Sequence, residues 1–141
     1  MSLWTRRMTL HLYPALATCL ALLVYVWAIF LCGRARGQYG IKAPAVTGHP
    51  EFDKYYRIQQ NTLEQLMLFL PSLWVFSTVV SPFWGGIIGL VFVAARAFYV
   101  VSYARDPASR GPGFTIGAIA AAVLLLGGLA GVIKVMLTGM P

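Results

Sequence analysis

Three long stretches of this chain carry no acidic or basic residue, and short polar clusters separate them. No Asp, Glu, Lys or Arg occurs between Arg7 and Arg34, between Glu64 and Arg96, or between Arg110 and Lys134. Each gap exceeds the roughly 20 residues that a helix needs to cross the hydrocarbon core of a bilayer. The middle gap is too long for one helix. It contains Ser81-Pro82-Phe83-Trp84-Gly85-Gly86, a Pro and Gly cluster that predicts a tight turn at the membrane surface. The pattern predicts four helices, at about 9–32, 52–79, 84–105 and 112–137, forming one transmembrane domain over residues 1–141. Lipid cannot satisfy exposed backbone polar groups, so spans of this kind are helical.

Composition strengthens that picture. Hydrophobic residues make up 59% of the chain and charged residues 11%, which makes the bilayer the solvent for most of it. The expected fold class is an all-α integral membrane protein, a bundle of four transmembrane helices. Such a small bundle buries little surface alone, so self-association is expected. Arg6 and Arg7 before an apolar run imitate a signal peptide, but the run is too long and lacks a small-x-small cleavage site, so it reads as a retained first helix.

The formal charge of +7 does not indicate nucleic acid, because the basic residues are distributed by membrane side. Arg34, Arg36, Lys42, Lys54, Arg57, Arg105 and Arg110 fall in or beside the first and third connections, and Arg6, Arg7 and Lys134 on the other side. The positive-inside rule then places those two connections in the cytosol and both termini opposite. Cys19 and Cys32 lack metal or redox spacing and read as packing thiols. His11 and His49 read as loop or interface residues, and no metal is expected.

Candidate chemistry sits where polar residues interrupt the apolar helices. On a helix, Arg57, Asn61 and Glu64 stand at i, i+4 and i+7 and share one face. Arg96, Tyr99 and Tyr103 form a similar stripe in the third helix. A buried arginine requires a partner, and a Glu64–Arg96 pair between antiparallel helices is the structural reading of both residues. Taken together, Arg36, Arg57, Asn61, Glu64, Tyr99, Tyr103 and Arg110 predict a mostly cationic pocket at the cytosolic end of the bundle, suited to a small polar anion. Glu64 adds a place for an ammonium group, so a peptide-like zwitterion with an extra carboxylate fits. Gln59 points almost opposite to Arg57, and sites between subunits of an oligomer would let both touch ligand.

The string Arg57-Ile-Gln59-Gln-Asn61-Thr-Leu-Glu64, followed by Leu70-Pro71-Ser-Leu-Trp74, resembles the second helix of the membrane-associated proteins in eicosanoid and glutathione metabolism (MAPEG). The likeness is to the microsomal glutathione transferase and leukotriene-C synthase branch. Pro50-Glu51-Phe52 is similar to the lead-in to that helix. Ala95-Arg96-Ala-Phe-Tyr99-Val-Val-Ser-Tyr103-Ala-Arg105 is similar to the end of the family's third helix, and Arg110-Gly-Pro-Gly-Phe114 to the start of its fourth. The resemblance covers nearly the whole chain.

It implies a homotrimer that binds glutathione as co-substrate between neighbouring subunits near the cytosolic end. Arg36, Arg57, Asn61, Glu64, Tyr99 and Tyr103 would be glutathione contacts, with Gln59 reaching from the adjacent subunit. Arg110 would be the catalytic arginine. A guanidinium stays charged and can stabilise a thiolate, which then attacks a hydrophobic electrophile or a lipid hydroperoxide delivered from the bilayer. Two departures bear on substrate. Gln65 stands where the leukotriene-forming branch has a tyrosine, and Gly37 replaces the second of two adjacent arginines. These favour a broader microsomal transferase over a dedicated leukotriene synthase. The family's non-catalytic lipid-presenting branch is the nearest alternative, and it lacks an arginine at the position of Arg110. A small multidrug transporter would need a carboxylate in the first helix, which has none from His11 to Cys32.

Overall fold

The computed structural model describes the backbone of residues 3–139 and the side chains of residues 11–139. Arg6 and Arg7, which enter the sidedness argument, lie outside the described side chains. Four long helices follow one another: α1 (Leu3–Gln38), α2 (Pro50–Val79), α3 (Pro82–Arg105) and α4 (Gly111–Thr138). A 3-10 turn at Pro107–Arg110 links the last two. Even α3, with 24 residues, reaches about 36 Å at 1.5 Å per residue, more than the roughly 30 Å hydrocarbon core. All four are long and apolar enough to span a membrane. Large apolar side chains point outward, with Met67 72% and Met136 80% exposed. The protein is a multi-pass integral membrane protein.

Two boundaries differ from the sequence expectation for physical reasons. Helix α1 continues past Cys32 through Arg34 and Arg36, and stops where Gly40 takes a left-handed φ of 65°. Helix α3 begins at Pro82, so the cluster read as a turn is mostly helix. Ser81 caps it by accepting from the Trp84 N–H at 3.3 Å, and proline is tolerated at a first position whose N–H has no intrahelical partner.

Helices α2 and α3 form the middle of the bundle, and both α1 and α4 pack against each of them. The rings of Phe69 and Phe92 stack 3.8 Å apart at 4° between planes. Small residues from the outer helices, Ala17, Ala21, Ala120 and Ala121, close over them with Leu66, Leu73 and Leu124. Lipid supplies no hydrophobic drive between helices, so association depends on close van der Waals contact, which small residues permit. A Cβ on Gly86 would collide with Tyr13 and come within 3.0 Å of the Pro14 nitrogen, so α3 lies directly on the α1 backbone.

Candidate functional site

The start of α2 is anchored before its polar stripe begins. His49 takes the cap position, its Nδ1 accepting from the Glu51 N–H at 3.2 Å, and Pro50 opens the helix. Glu51 and Asp53 in the first turn suit the positive end of the helix dipole. The His49 ring stacks on Tyr39 at 4.0 Å, which ties the cap to the end of α1. The stripe follows, with Arg57 and Glu64 exposed and Asn61 half-buried.

The facing wall comes from α3. Tyr99 and Tyr103 are buried near its end. Asp106 then caps the 3-10 turn, accepting from the Ala108 N–H at 2.9 Å, and the Ser109 hydroxyl donates back to the Ser102 carbonyl at 2.9 Å. This tight connection sets Arg110 at the head of α4. Gly113 lets α4 come close to α3, because a Cβ there would stand 2.8 Å from the Tyr99 nitrogen and 2.9 Å from the Ala95 oxygen.

Between these walls lies a cavity of about 430 Å³ lined by Arg57, Asn61, Tyr99, Arg110, Gly111 and Phe114. That volume is within the range of small-ligand pockets. Arg110 Nη1 donates to the Tyr103 hydroxyl at 3.3 Å, and its guanidinium lies 5.4 Å from the centre of that ring. Glu64 joins through Asn61, whose Nδ2 donates to Glu64 Oε2 at 3.4 Å. On the other side of Arg57 a second cavity of about 570 Å³ is bounded by Asp53, Lys54, Tyr56 and Tyr103. Lys54 is engaged there by Glu51 at 2.7 Å.

The fold therefore assembles Arg57, Asn61, Tyr99 and Arg110 around one cavity, with Tyr103 and Glu64 one contact away. It leaves two candidates elsewhere. Arg36 Nη1 donates to the carbonyls of Ala45 at 2.9 Å and Ile41 at 3.4 Å, and its guanidinium sits 4.7 Å over the Phe52 ring. It ties down the α1–α2 connection. Gln59 lies on the opposite side of α2 from Arg57 and does not line the cavity.

The partner of Arg96 is not Glu64. Its Nη2 donates to Asn61 Oδ1 at 3.1 Å and Thr62 Oγ1 at 3.0 Å, and the guanidinium stacks on Tyr99 at 4.1 Å. Thr62 was not among the sequence candidates. It stands about 100° around the helix from Asn61 on the interior side, whereas Glu64 stands about 60° the other way. The helical wheel carries that distinction once the interior face is known.

Chemically, the cavity presents two guanidinium groups, an amide and a phenol. Guanidinium groups remain cationic at any accessible pH, so the site can hold an anionic ligand and stabilise a developing or resident negative charge.

The profile of the MAPEG family matches residues 14–130. The chain belongs to the MAPEG family. The matched span includes every candidate site residue from Arg36 to Arg110, and this is the family that the strings in α2 and α3 resemble. The chain is 40% identical over 118 residues to an uncharacterised protein of Synechocystis sp., covering 84% of this chain and 86% of the relative. It is 36% identical over 98 residues to human microsomal glutathione S-transferase 2, covering 69% and 67%. Leukotriene C4 synthase of Cavia porcellus is 34% identical over 96 residues, covering 68% and 64%. MAPEG membership and the four spanning helices together make this a member of a glutathione-related family of membrane enzymes.

Proposed function

We propose that the protein is a membrane-bound glutathione transferase that conjugates glutathione to hydrophobic electrophiles. The observation that carries this reading is Arg110, held by Tyr103 on the rim of a cavity whose other walls are Arg57, Asn61 and Tyr99. An ordinary thiol, with pKa about 8.5, is only a few per cent thiolate at pH 7. A permanent cation beside the sulfur favours the thiolate and so raises the concentration of nucleophile. The sulfur then forms a bond to the electrophilic carbon as the leaving group departs with its electron pair. The same thiolate can attack an oxygen of a lipid hydroperoxide, breaking the O–O bond to form a sulfenic acid as the alcohol departs, and a second glutathione then displaces water from the sulfenic sulfur to give the disulfide.

In this reading Arg57, Asn61, Glu64, Tyr99 and Tyr103 bind glutathione, and the protein works as a homotrimer. Arg36 would contact glutathione as well, and Gln59 would reach ligand from a neighbouring subunit, which accords with its absence from the cavity of one chain. The first and third connections and the site face the cytosol. The human relative, named a glutathione S-transferase, supports glutathione as co-substrate, and outward apolar side chains support delivery of the second substrate from lipid.

The test mixes purified protein with glutathione and chlorodinitrobenzene while recording thiolate absorbance and conjugate. The expected result is a thiolate signal and conjugation in the wild type. Glutathione binding without thiolate or conjugate would make the protein a lipid-presenting member of the family instead.

A further inference from the structure

Arg96 is 1% exposed, the largest fully buried side chain among the described residues. A buried cation normally requires a carboxylate. Among the described residues none lies within 4 Å of it, and Glu64 is held one residue away by Asn61. The compensation that Arg96 receives is neutral: two hydrogen bonds from Nη2 and the face of Tyr99. Its Nε and Nη1 are buried without a hydrogen-bond partner. Two of these contacts lead toward the cavity, because Asn61 and Tyr99 both line it, while Thr62 holds Arg96 from the interior side.

The hydrogen bonding has a directional consequence. A guanidinium can only donate, so Asn61 must turn Oδ1 toward Arg96, which leaves Nδ2 facing Glu64. The amide orientation at the cavity wall is thus set from behind. Each neutral partner keeps one hydrogen bond of its own without Arg96. Thr62 Oγ1 also donates to the Ile58 carbonyl at 2.7 Å, and Asn61 retains Glu64.

We infer that Arg96 is a positioning residue for the anion-binding cavity: it fixes the Asn61 amide, and its uncompensated buried charge takes the bound ligand's negative charge as counterion. Resting on the glutathione reading, this makes Arg96 a second cation for the ligand, acting through Asn61 and Tyr99 behind Arg110. An uncompensated buried charge costs the empty protein stability, and ligand binding recovers it. Affinity and stability of the empty protein should therefore respond to Arg96 in opposite directions.

Two nearly isosteric substitutions test this in the full-length protein in detergent, each assayed for melting temperature with and without glutathione, for glutathione affinity and for the pH midpoint of thiolate absorbance. Arg96→Met removes the charge. Asn61→Asp, made in a Glu64→Gln background so that the new carboxylate faces an amide and not a second carboxylate, gives the charge a permanent protein counterion. Each is expected to melt at or above the temperature of its parent, wild type or Glu64→Gln, when empty, to bind glutathione at least tenfold more weakly than that parent, and to move the thiolate midpoint upward. Arg96→Lys, which keeps the charge and loses the fork, should recover part of the affinity.

An Arg96→Met protein that melts lower when empty yet binds glutathione and forms thiolate as the wild type does would show a packing role and overturn the inference. If Arg96→Met cannot be obtained folded, Asn61→Asp in the Glu64→Gln background decides, and an empty-state melting temperature below that of Glu64→Gln alone overturns it. Wild-type protein that neither binds glutathione nor forms thiolate would instead sink the transferase reading, while the empty-state melting temperatures would still report on the buried charge.

Discussion

Helix α2 has two halves with different jobs. Up to Gln65 its inward side packs Ile58 against Tyr99 and Tyr103 and meets α3 through Asn61 and Thr62, which accept from Arg96, and beside them the chain leaves an open cavity. Beyond Gln65 the same helix inserts Leu66, Phe69, Leu73 and Phe76 into a filled interior against Phe92 and Leu124. One backbone carries both, so the packed half can serve as a fixed support from which the polar half is held open. The contrast teaches that loss of a side chain should read out as chemistry at one end and as stability at the other.

The largest effect is expected at Arg110. Arg110→Ala should cut conjugation by roughly 100-fold or more, the scale on which removing one donor from a developing anion acts. Glutathione affinity should change only a few-fold and the melting temperature should not change. Steady-state conjugation beside calorimetric binding checks this, and equal losses of binding and activity would assign Arg110 to anchoring the ligand. Phe92→Ala is the mirror case. Removing one ring of the 3.8 Å stack should cost roughly 3–5 kcal/mol of stability, with turnover per folded molecule unchanged. Denaturation in detergent with active-site titration separates the two, and lower turnover in the folded fraction would break the division of labour.

Gly113 joins the two behaviours. A Cβ there meets the Tyr99 backbone, so Gly113→Ala should push α4 away from α3, costing roughly 1–3 kcal/mol. Arg110 stands at the head of the displaced helix, so kcat should fall several-fold alongside the melting temperature. A drop in melting temperature with kcat intact would mean that the 3-10 turn holds Arg110 independently of helix packing.

Much of this was legible in the sequence. The charge-free stretches specify four helices, because a span of lipid leaves a peptide few alternatives. The stripe of Arg57, Asn61 and Glu64 was visible through helical periodicity alone. What was hidden depends on relations between elements. The partner of Arg96 follows from the rotation of α2 against α3, which one helix's pattern does not contain, and so periodicity alone points to Glu64 rather than Thr62. The opening of α3 at Pro82 was obscured because proline reads as a breaker, although at a first helical position it breaks nothing. The hold of Arg36 on the Ala45 carbonyl depends on a loop path that composition does not encode.

The smallest predicted effect tests whether the polar half of α2 serves one subunit or two. Asn61 faces the cavity of its own chain, while Gln59 points away from it. If a site takes Asn61 from one subunit and Gln59 from the next, a chain altered at Asn61 still carries an intact Gln59 for its neighbour. Asn61→Ala and Gln59→Ala proteins should each bind glutathione several-fold more weakly. Co-expressed, they should form mixed trimers in which a Gln59→Ala subunit beside an Asn61→Ala subunit completes one unaltered site. A ring of three that contains both kinds has one such junction in the correct order. Tandem purification on two tags, followed by glutathione titration, should then reveal a minority class of sites with wild-type affinity. A titration fitted entirely by the two weakened affinities would place both residues in the same subunit's site, whereas Gln59→Ala protein that alone binds glutathione as the wild type does would place Gln59 in none, and in either case the polar half of α2 would face ligand on one side only.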